Sequence, residues 1–169
     1  MRGPRLPILT NRADTLKYGD GVVRILDRRR LPEETVFVEC RSYREVAQAI
    51  VDMVIQGAPP LAYAAGYGLA LAAREFRGMP AEKNREALEQ AHRELRATRP
   101  TGADIFPLLD RALDLALAAI AEGRDAEAAV VAFVDEQVRA GDRAARLSGC
   151  HAARLLEDGD RILTHCFAG

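Results

Sequence analysis

From about residue 42 to residue 157 the apolar positions recur at three- and four-residue spacing, as in helices that bury one face. Before residue 42 the pattern differs. Val22-Val23-Arg24-Ile25-Leu26 and Val36-Phe37-Val38-Glu39 are short β-prone runs joined by a polar, Pro-containing turn, which predicts a hairpin. Ser42-Tyr43-Arg44-Glu45 then has the Ser-x-x-Glu form of a capping box, in which two side chains satisfy orphan amides at a helix start. Val46, Ile50, Met53 and Val54 follow on one helical face, with Gly57 as the stop signal.

The next predicted helix begins near Pro60 and is rich in alanine, glycine and leucine on every side, so it should be buried and closely packed against neighbouring backbones. Between about Ala81 and Ala97 only Leu88, Ala91 and Leu95 form an apolar stripe among charges, the pattern of a surface helix. His92 falls in its polar part and reads as solvated. Arg99-Pro100-Thr101-Gly102 forces a loop, since proline drives the residue before it toward extended geometry. Helices resume at about Ile105 to Ala121 and from Asp125 onward, and a short helical stretch from Gly149 to Leu156 carries Cys150 as a small packed residue.

Asp158-Gly159 turns the chain toward Ile162-Leu163-Thr164-His165-Cys166-Phe167-Ala168-Gly169, which reads as a buried strand followed by a glycine turn. A lone strand leaves its backbone donors and acceptors without partners. The expectation is therefore an N-terminal half whose sheet is completed elsewhere. The organisation predicted is a small β-containing segment (1–41), a helical domain (42–157) and the first strand of a truncated or split Rossmann-like domain (158–169).

Composition narrows the class. The chain has 169 residues, 49% hydrophobic and 29% charged, with a formal net charge of −1, which places it among soluble globular domains and provides no field to attract nucleic acid or a membrane surface. The longest uncharged, mostly apolar run, Leu61 to Ala73, falls short of the roughly 20 residues needed to span a bilayer. Met1-Arg2-Gly3-Pro4-Arg5 lacks the apolar stretch of a secretory signal, so the cytoplasm is the expected location. Arg28-Arg29-Arg30 reads as a solvated loop before Leu31-Pro32 rather than a phosphate clamp. Cys40, Cys150 and Cys166 show no C-x-x-C spacing, against both a disulfide framework and a zinc site.

Three segments are candidates for chemistry. Ile55-Gln56-Gly57-Ala58-Pro59-Pro60 is a glycine turn feeding a helix, and helix N-termini concentrate unpaired amides and positive dipole. The prolines cannot donate, which leaves the amides of Gly57, Ala58 and Leu61; the competing reading is a plain connection with proline in the first turn. Arg99 is a stiffened guanidinium, suited by shape to phosphate oxygens, or else an ordinary solvated arginine. Cys166 would sit beyond the carboxyl end of a strand, where ligands of open α/β sheets bind and where a tuned thiol can move a proton; the competing reading is a buried inert cysteine. His165 alternates with Cys166 and would point to the opposite face.

In order along the chain, Leu26-Asp27 with Leu31-Pro32, Met53-Val54-Ile55-Gln56-Gly57-Ala58-Pro59, Ala64-Ala65-Gly66-Tyr67-Gly68, Arg99-Pro100-Thr101 and Gly159-Asp160-Arg161-Ile162-Leu163-Thr164-His165-Cys166 resemble the methylthioribose-1-phosphate isomerase family. That family is related to the regulatory subunits of translation-initiation factor 2B and to ribose-1,5-bisphosphate isomerase. The resemblance implies a mainly α N-terminal domain with a small β element, attached to a Rossmann-like α/β domain on whose first strand this sequence ends. It also implies an aldose–ketose isomerase of a pentose 1-phosphate such as 5-methylthioribose 1-phosphate. Gly57, Ala58 and Arg99 would hold the phosphate, and Cys166 would transfer protons together with an aspartate of the complementary C-terminal half. No metal or organic cofactor is implied, and the full unit would be a homodimer.

Two positions depart from the family pattern. Gln56 stands where the family usually has arginine before Gly-Ala-Pro, replacing a charged phosphate contact by a neutral amide, and Phe167 stands where asparagine usually follows the cysteine. An apolar wall at Phe167 would raise the thiol pKa of Cys166 and keep it protonated. The alternatives are a non-catalytic regulatory or scaffold subunit that binds a sugar phosphate or nucleotide, and a ribose-1,5-bisphosphate isomerase-like enzyme.

Overall fold

The computed structural model describes residues 15–163, arranged as a small antiparallel sheet packed on a helical bundle. The sheet contains β1 (Leu16–Gly19), β2 (Val22–Leu26) and β3 (Phe37–Cys40) in the order β1-β2-β3. The predicted hairpin is β2–β3, with Val23 opposite Cys40 and Ile25 opposite Val38. The sequence reading missed β1, although its signal is present. Asp20-Gly21 between β1 and β2 has φ of 50° and 72°, and an Asp-Gly pair with both residues left-handed is a favoured two-residue hairpin turn.

The helices are α1 (Tyr43–Val51), α2 (Ala58–Glu75), α3 (Ala81–Ala97), α4 (Ile105–Ala121) and α5 (Ala126–Ala153). Ser42 caps α1 by accepting from the Glu45 amide at 3.3 Å, while the Glu45 carboxylate reaches back to the amide of Arg41 rather than of Ser42. Val46, Ile50 and Val54 are buried as predicted, but Met53 is exposed and α1 stops at Val51 instead of Gly57. Met53 adopts φ 60°, so the chain leaves the helical path there and the residues up to Gly57 form a turn.

Every residue of α2 from Pro60 to Ala73 is buried, which makes this helix the centre of the core. Two of its glycines make that possible. A Cβ on Gly66 would lie 2.7 Å from both Leu108 Cδ2 and Val134 Cγ2, and one on Gly68 would lie 3.0 Å from Leu95 Cδ2 and 3.2 Å from Val46 Cγ1. Close approach on both sides lets α1, α3, α4 and α5 all pack on one helix. The Leu88, Ala91 and Leu95 stripe of α3 is fully buried against it.

Two expectations for the later helices are corrected. His92 is not a solvated side chain: its Nε2 lies 2.8 Å from Asp110 Oδ1 on α4, and Arg96 Nη1 donates to the same oxygen at 2.7 Å. Nor is there a separate short helix at Gly149. The 28-residue α5 runs through it without interruption, and Cys150 is exposed on its surface. From Arg143 to Ala153, about three turns, every residue of α5 is exposed.

Arg161, Ile162 and Leu163, where the predicted strand would begin, are exposed and lie in no strand of the described residues. Their apolar pattern has no hydrogen-bonding neighbour among the described residues, and pairing defines a strand as much as propensity does. Thr164, His165, Cys166 and the rest of that prediction lie outside the described residues, as does the start of the segment at residues 1–14. No helix among the described residues is long and apolar enough to cross a membrane.

The sheet is tied to the bundle by a polar cluster. The Tyr18 hydroxyl donates to Glu127 Oε1 at 2.6 Å, and Arg74 and Arg77 donate to the same nearly buried carboxylate at 3.1 and 2.7 Å. Tyr18 also stacks on Tyr67 at 5.6 Å, and Tyr67 donates to Asp135 at 2.7 Å. Burial, followed by the hydrogen bond to a carboxylate, pushes both phenols above their usual pKa, so they act as donors at any physiological pH.

Candidate functional site

Two of the sequence-predicted segments lie at the same end of the bundle. Tyr63 donates to the Gln137 carbonyl at 3.2 Å and Arg74 pairs with Glu127, so α2 and α5 run antiparallel. Residues Pro59, Ala62 and Tyr63 of α2 share a groove of about 430 Å³ with Asp104, Pro107 and Arg111. Together with the packing of Leu108 at Gly66, this sets α2 and α4 parallel, with their N-termini at the same end. The turn that starts α2 and the Arg99 loop that precedes α4 are therefore at the same end of the bundle, although their positions in sequence lie more than a helix apart. The exposed turns of α5 project from this end as well, because Gly141 is already level with Tyr63.

Gly57 is the N-cap of α2 with φ 92°, in a region that side chains disfavour, which gives its position in the turn a conformational reason. The Leu61 amide is taken by the Gly57 carbonyl at 3.0 Å, so it is not a free donor as the sequence reading allowed. The amides of Gly57 and Ala58 donate to no group among the described residues. There is no acidic residue in the first turn of α2 to compete for the positive end of its dipole. Gln56 is half-buried, and one N–H of its carboxamide donates to the Met53 carbonyl at 3.5 Å.

Arg99 is half-buried in a tight loop in which the Gly102 amide donates to its carbonyl at 2.9 Å and the Ile105 amide to the Gly102 carbonyl at 2.9 Å. Its guanidinium takes part in none of the ion pairs among the described residues. The site end thus offers free backbone amides, a helix dipole and a cation, a set suited to an anion. Cys166 lies outside the described residues and adds no geometry to this set.

Arg29 and Arg30 are exposed, as the composition of Arg28-Arg29-Arg30 suggests, but the segment is more than a loop. It forms a 3-10 turn with Asp27 as N-cap, and the Arg28 amide donates to the Val54 carbonyl at 3.0 Å. Arg29 and Arg30 pair with Asp27 and Glu34 respectively. The turn therefore packs against the residues that lead to Gly57. No local pattern announces that contact, since it joins segments more than 20 residues apart.

The two described cysteines are not equivalent. Cys40 is buried, and burial, assisted by the Glu45 charge, pushes its thiol up to about 11. At neutral pH iodoacetamide should therefore alkylate Cys150 on the native chain and spare Cys40, as read by peptide mass spectrometry. Equal labelling of the two would mean that the β3–α1 packing around Cys40 does not form.

Residues 54–169 match the model of the initiation factor 2 subunit family, more than half of the chain. The chain belongs to this family. The methylthioribose-1-phosphate isomerase of Syntrophotalea carbinolica is 41% identical over 161 residues, covering 91% of this chain and 45% of that protein. A putative methylthioribose-1-phosphate isomerase of Aeropyrum pernix is likewise 41% identical, over 90% of this chain and 42% of its own length. Two solved structures share the fold. One is the 5-methylthioribose 1-phosphate isomerase of Pyrococcus horikoshii, with TM-score 0.63 and 29% identity over 82% of this chain and 39% of that one. The other is translation initiation factor eIF-2B, subunit delta, from A. fulgidus, with TM-score 0.69 and 35% identity over 86% of this chain and 42% of that one. The chain spans less than half the length of these curated relatives. The family assignment agrees with the motif order read from the sequence, and the mainly helical architecture with a small sheet matches the N-terminal part of both solved folds.

Proposed function

We propose that this chain is the N-terminal half of a sugar-phosphate isomerase that converts a pentose 1-phosphate of the 5-methylthioribose type to the ketose. The observation that carries the reading is the 41% identity, across nine-tenths of the chain, to a protein named for that activity. The site geometry supports it: the free Gly57 and Ala58 amides and the Arg99 loop share one end of the bundle. There they would hold the phosphate, with Gln56 beside them offering a neutral contact in place of a charged one.

Phosphate on the anomeric oxygen prevents the sugar from opening as a free hemiacetal. An acid must protonate the ring oxygen as its bond to C1 breaks. A proton then leaves C2, C1 receives one, and the C2 hydroxyl gives up its proton as it becomes the ketone. Cys166 would serve as one acid–base group, and an aspartate of a complementary Rossmann-like half as the other. That half would pack on the end of the bundle from which α5 projects, carrying on from the first strand read at residues 161–166.

Arg99→Ala in the assembled enzyme tests the phosphate seat. Loss of a charge-assisted hydrogen bond of about 1.5–3 kcal/mol predicts KM raised roughly 10- to 150-fold. Unchanged steady-state kinetics would remove Arg99 from the site. The second reading, a regulatory subunit that binds a phosphorylated ligand without turning it over, is favoured by the likeness to the eIF-2B subunit at TM-score 0.69. Phosphate binding in the assembled protein without isomerisation of 5-methylthioribose 1-phosphate would select it.

A further inference from the structure

Three successive carbonyls just before Gly57 are each held by a different donor. Arg29 Nη1 donates to the Asp52 carbonyl at 3.4 Å, the Gln56 carboxamide to that of Met53 at 3.5 Å, and the Arg28 amide to that of Val54 at 3.0 Å. Pinning consecutive carbonyls fixes the peptide planes between them, and with them the direction in which the chain enters Gly57. The turn needs such support, because Met53 departs from helical geometry at φ 60° and Gly57 follows at φ 92°.

Two of the three donors come from the connection between β2 and β3, and that connection is itself locked. Asp27 is 2% exposed. Its Oδ1 accepts from the Arg29 amide at 3.1 Å and from Nε at 2.8 Å, and its Oδ2 accepts from Nη2 at 2.8 Å. This two-oxygen grip on Nε and Nη2 leaves Nη1 directed at the Asp52 carbonyl, a division that the planar guanidinium fork permits and a lysine ammonium does not. The hydrogen bonds from Arg29 hold the Asp27 carboxyl below the usual carboxylate range, so the grip is charged at neutral pH. The Asp27 amide in turn donates to the Val36 carbonyl at 2.9 Å, tying the brace to the far side of the same connection.

We propose that Asp27 and Arg29 are a positioning pair for the anion seat, orienting the Gly57 and Ala58 amides through the carbonyl of Asp52 without touching the ligand. The assignment rests on the phosphate seat argued above. It gives the small sheet a functional part: its long connection presets the turn, so that less conformational freedom is lost when an anion binds.

The test uses the assembled protein, residues 1–169 together with the complementary half, labelled with nitrogen-15, with inorganic phosphate as the probe and the amide signals of Gly57 and Ala58 as the readout. Arg29→Ala and Arg29→Lys should each weaken phosphate binding by about fivefold or more. Both should also speed hydrogen exchange at the Val54 and Arg28 amides, which in the ligand-free protein donate to the Ala49 and Val54 carbonyls, each at 3.0 Å. Arg30→Ala, which removes the same charge one residue away from an exposed pair with Glu34, should change neither. Arg29→Lys keeps the net charge and so separates positioning from a general electrostatic effect. Wild-type phosphate affinity and wild-type exchange in both Arg29 variants overturn the positioning role while the seat stands. A wild-type chain whose Gly57 and Ala58 signals ignore phosphate overturns the seat, and the positioning role with it.

Discussion

Serine in place of Cys166 is expected to leave the fold intact and to remove most of the turnover of the proposed isomerase in its assembled form. The side chains are nearly isosteric, but a hydroxyl is far less acidic than a thiol of ordinary pKa near 8.5, and a proton shuttle works best when its pKa lies near the operating pH. Positioned acid–base groups contribute typically 10²- to 10⁴-fold, so kcat should fall by about two orders of magnitude or more while KM, set by the phosphate contacts, changes little. Cys40→Ser and Cys150→Ser supply the comparison, since neither residue lies in the proposed site. Steady-state kinetics on the three variants decide the matter. Equal turnover in all three would remove Cys166 from the chemistry and overturn the proton-transfer mechanism assigned to it.

The largest expected effect on stability is at Leu69, in the middle of α2 and fully buried. Leu69→Ala removes three heavy atoms from a helix enclosed on all sides, and the glycine-mediated contacts around it leave neighbours little freedom to collapse into the space. The loss should be about 2–5 kcal/mol, measured as a lower denaturant midpoint with an unchanged slope. Leu147→Ala provides the contrast, because Leu147 is 63% exposed on the projecting part of α5. It should change stability by no more than about 0.5 kcal/mol in this chain. A large loss at Leu147 would mean that the projecting turns are covered in solution, either by another copy or by a part of the chain outside the described residues.

Much of the architecture was legible because the rules that specify it act within a helical turn or a strand pair. The Ser42 cap, the all-round burial of α2, the Leu88, Ala91 and Leu95 stripe and the β2–β3 pairing follow from residues close together in sequence. The Asp20-Gly21 turn was equally local and was overlooked. The order of Gln56-Gly57-Ala58-Pro59, Arg99-Pro100-Thr101 and Thr164-His165-Cys166 was enough to point to the family.

What the tertiary structure decided involves partners far apart along the chain. His92 lost its solvated reading because Asp110 comes from the next helix, 18 residues on. The helix expected to run on to Gly57 ends at Val51, where carbonyls it would have used are taken by Gln56 and by the turn after β2. A helix continues through Gly141 and Gly149 because two glycines alone cost only about 1 kcal/mol each relative to alanine, and Gly141 is repaid by the close approach of Tyr63. Residue types and their local spacing thus determined the elements and the family, while the placing of the Gly57 turn and the Arg99 loop at one end of the bundle arose only once α2 and α4 packed in parallel. Propensity and capping are short-range energies, whereas the packing of one helix on another depends on side chains that meet only after the chain has closed loops of tens of residues.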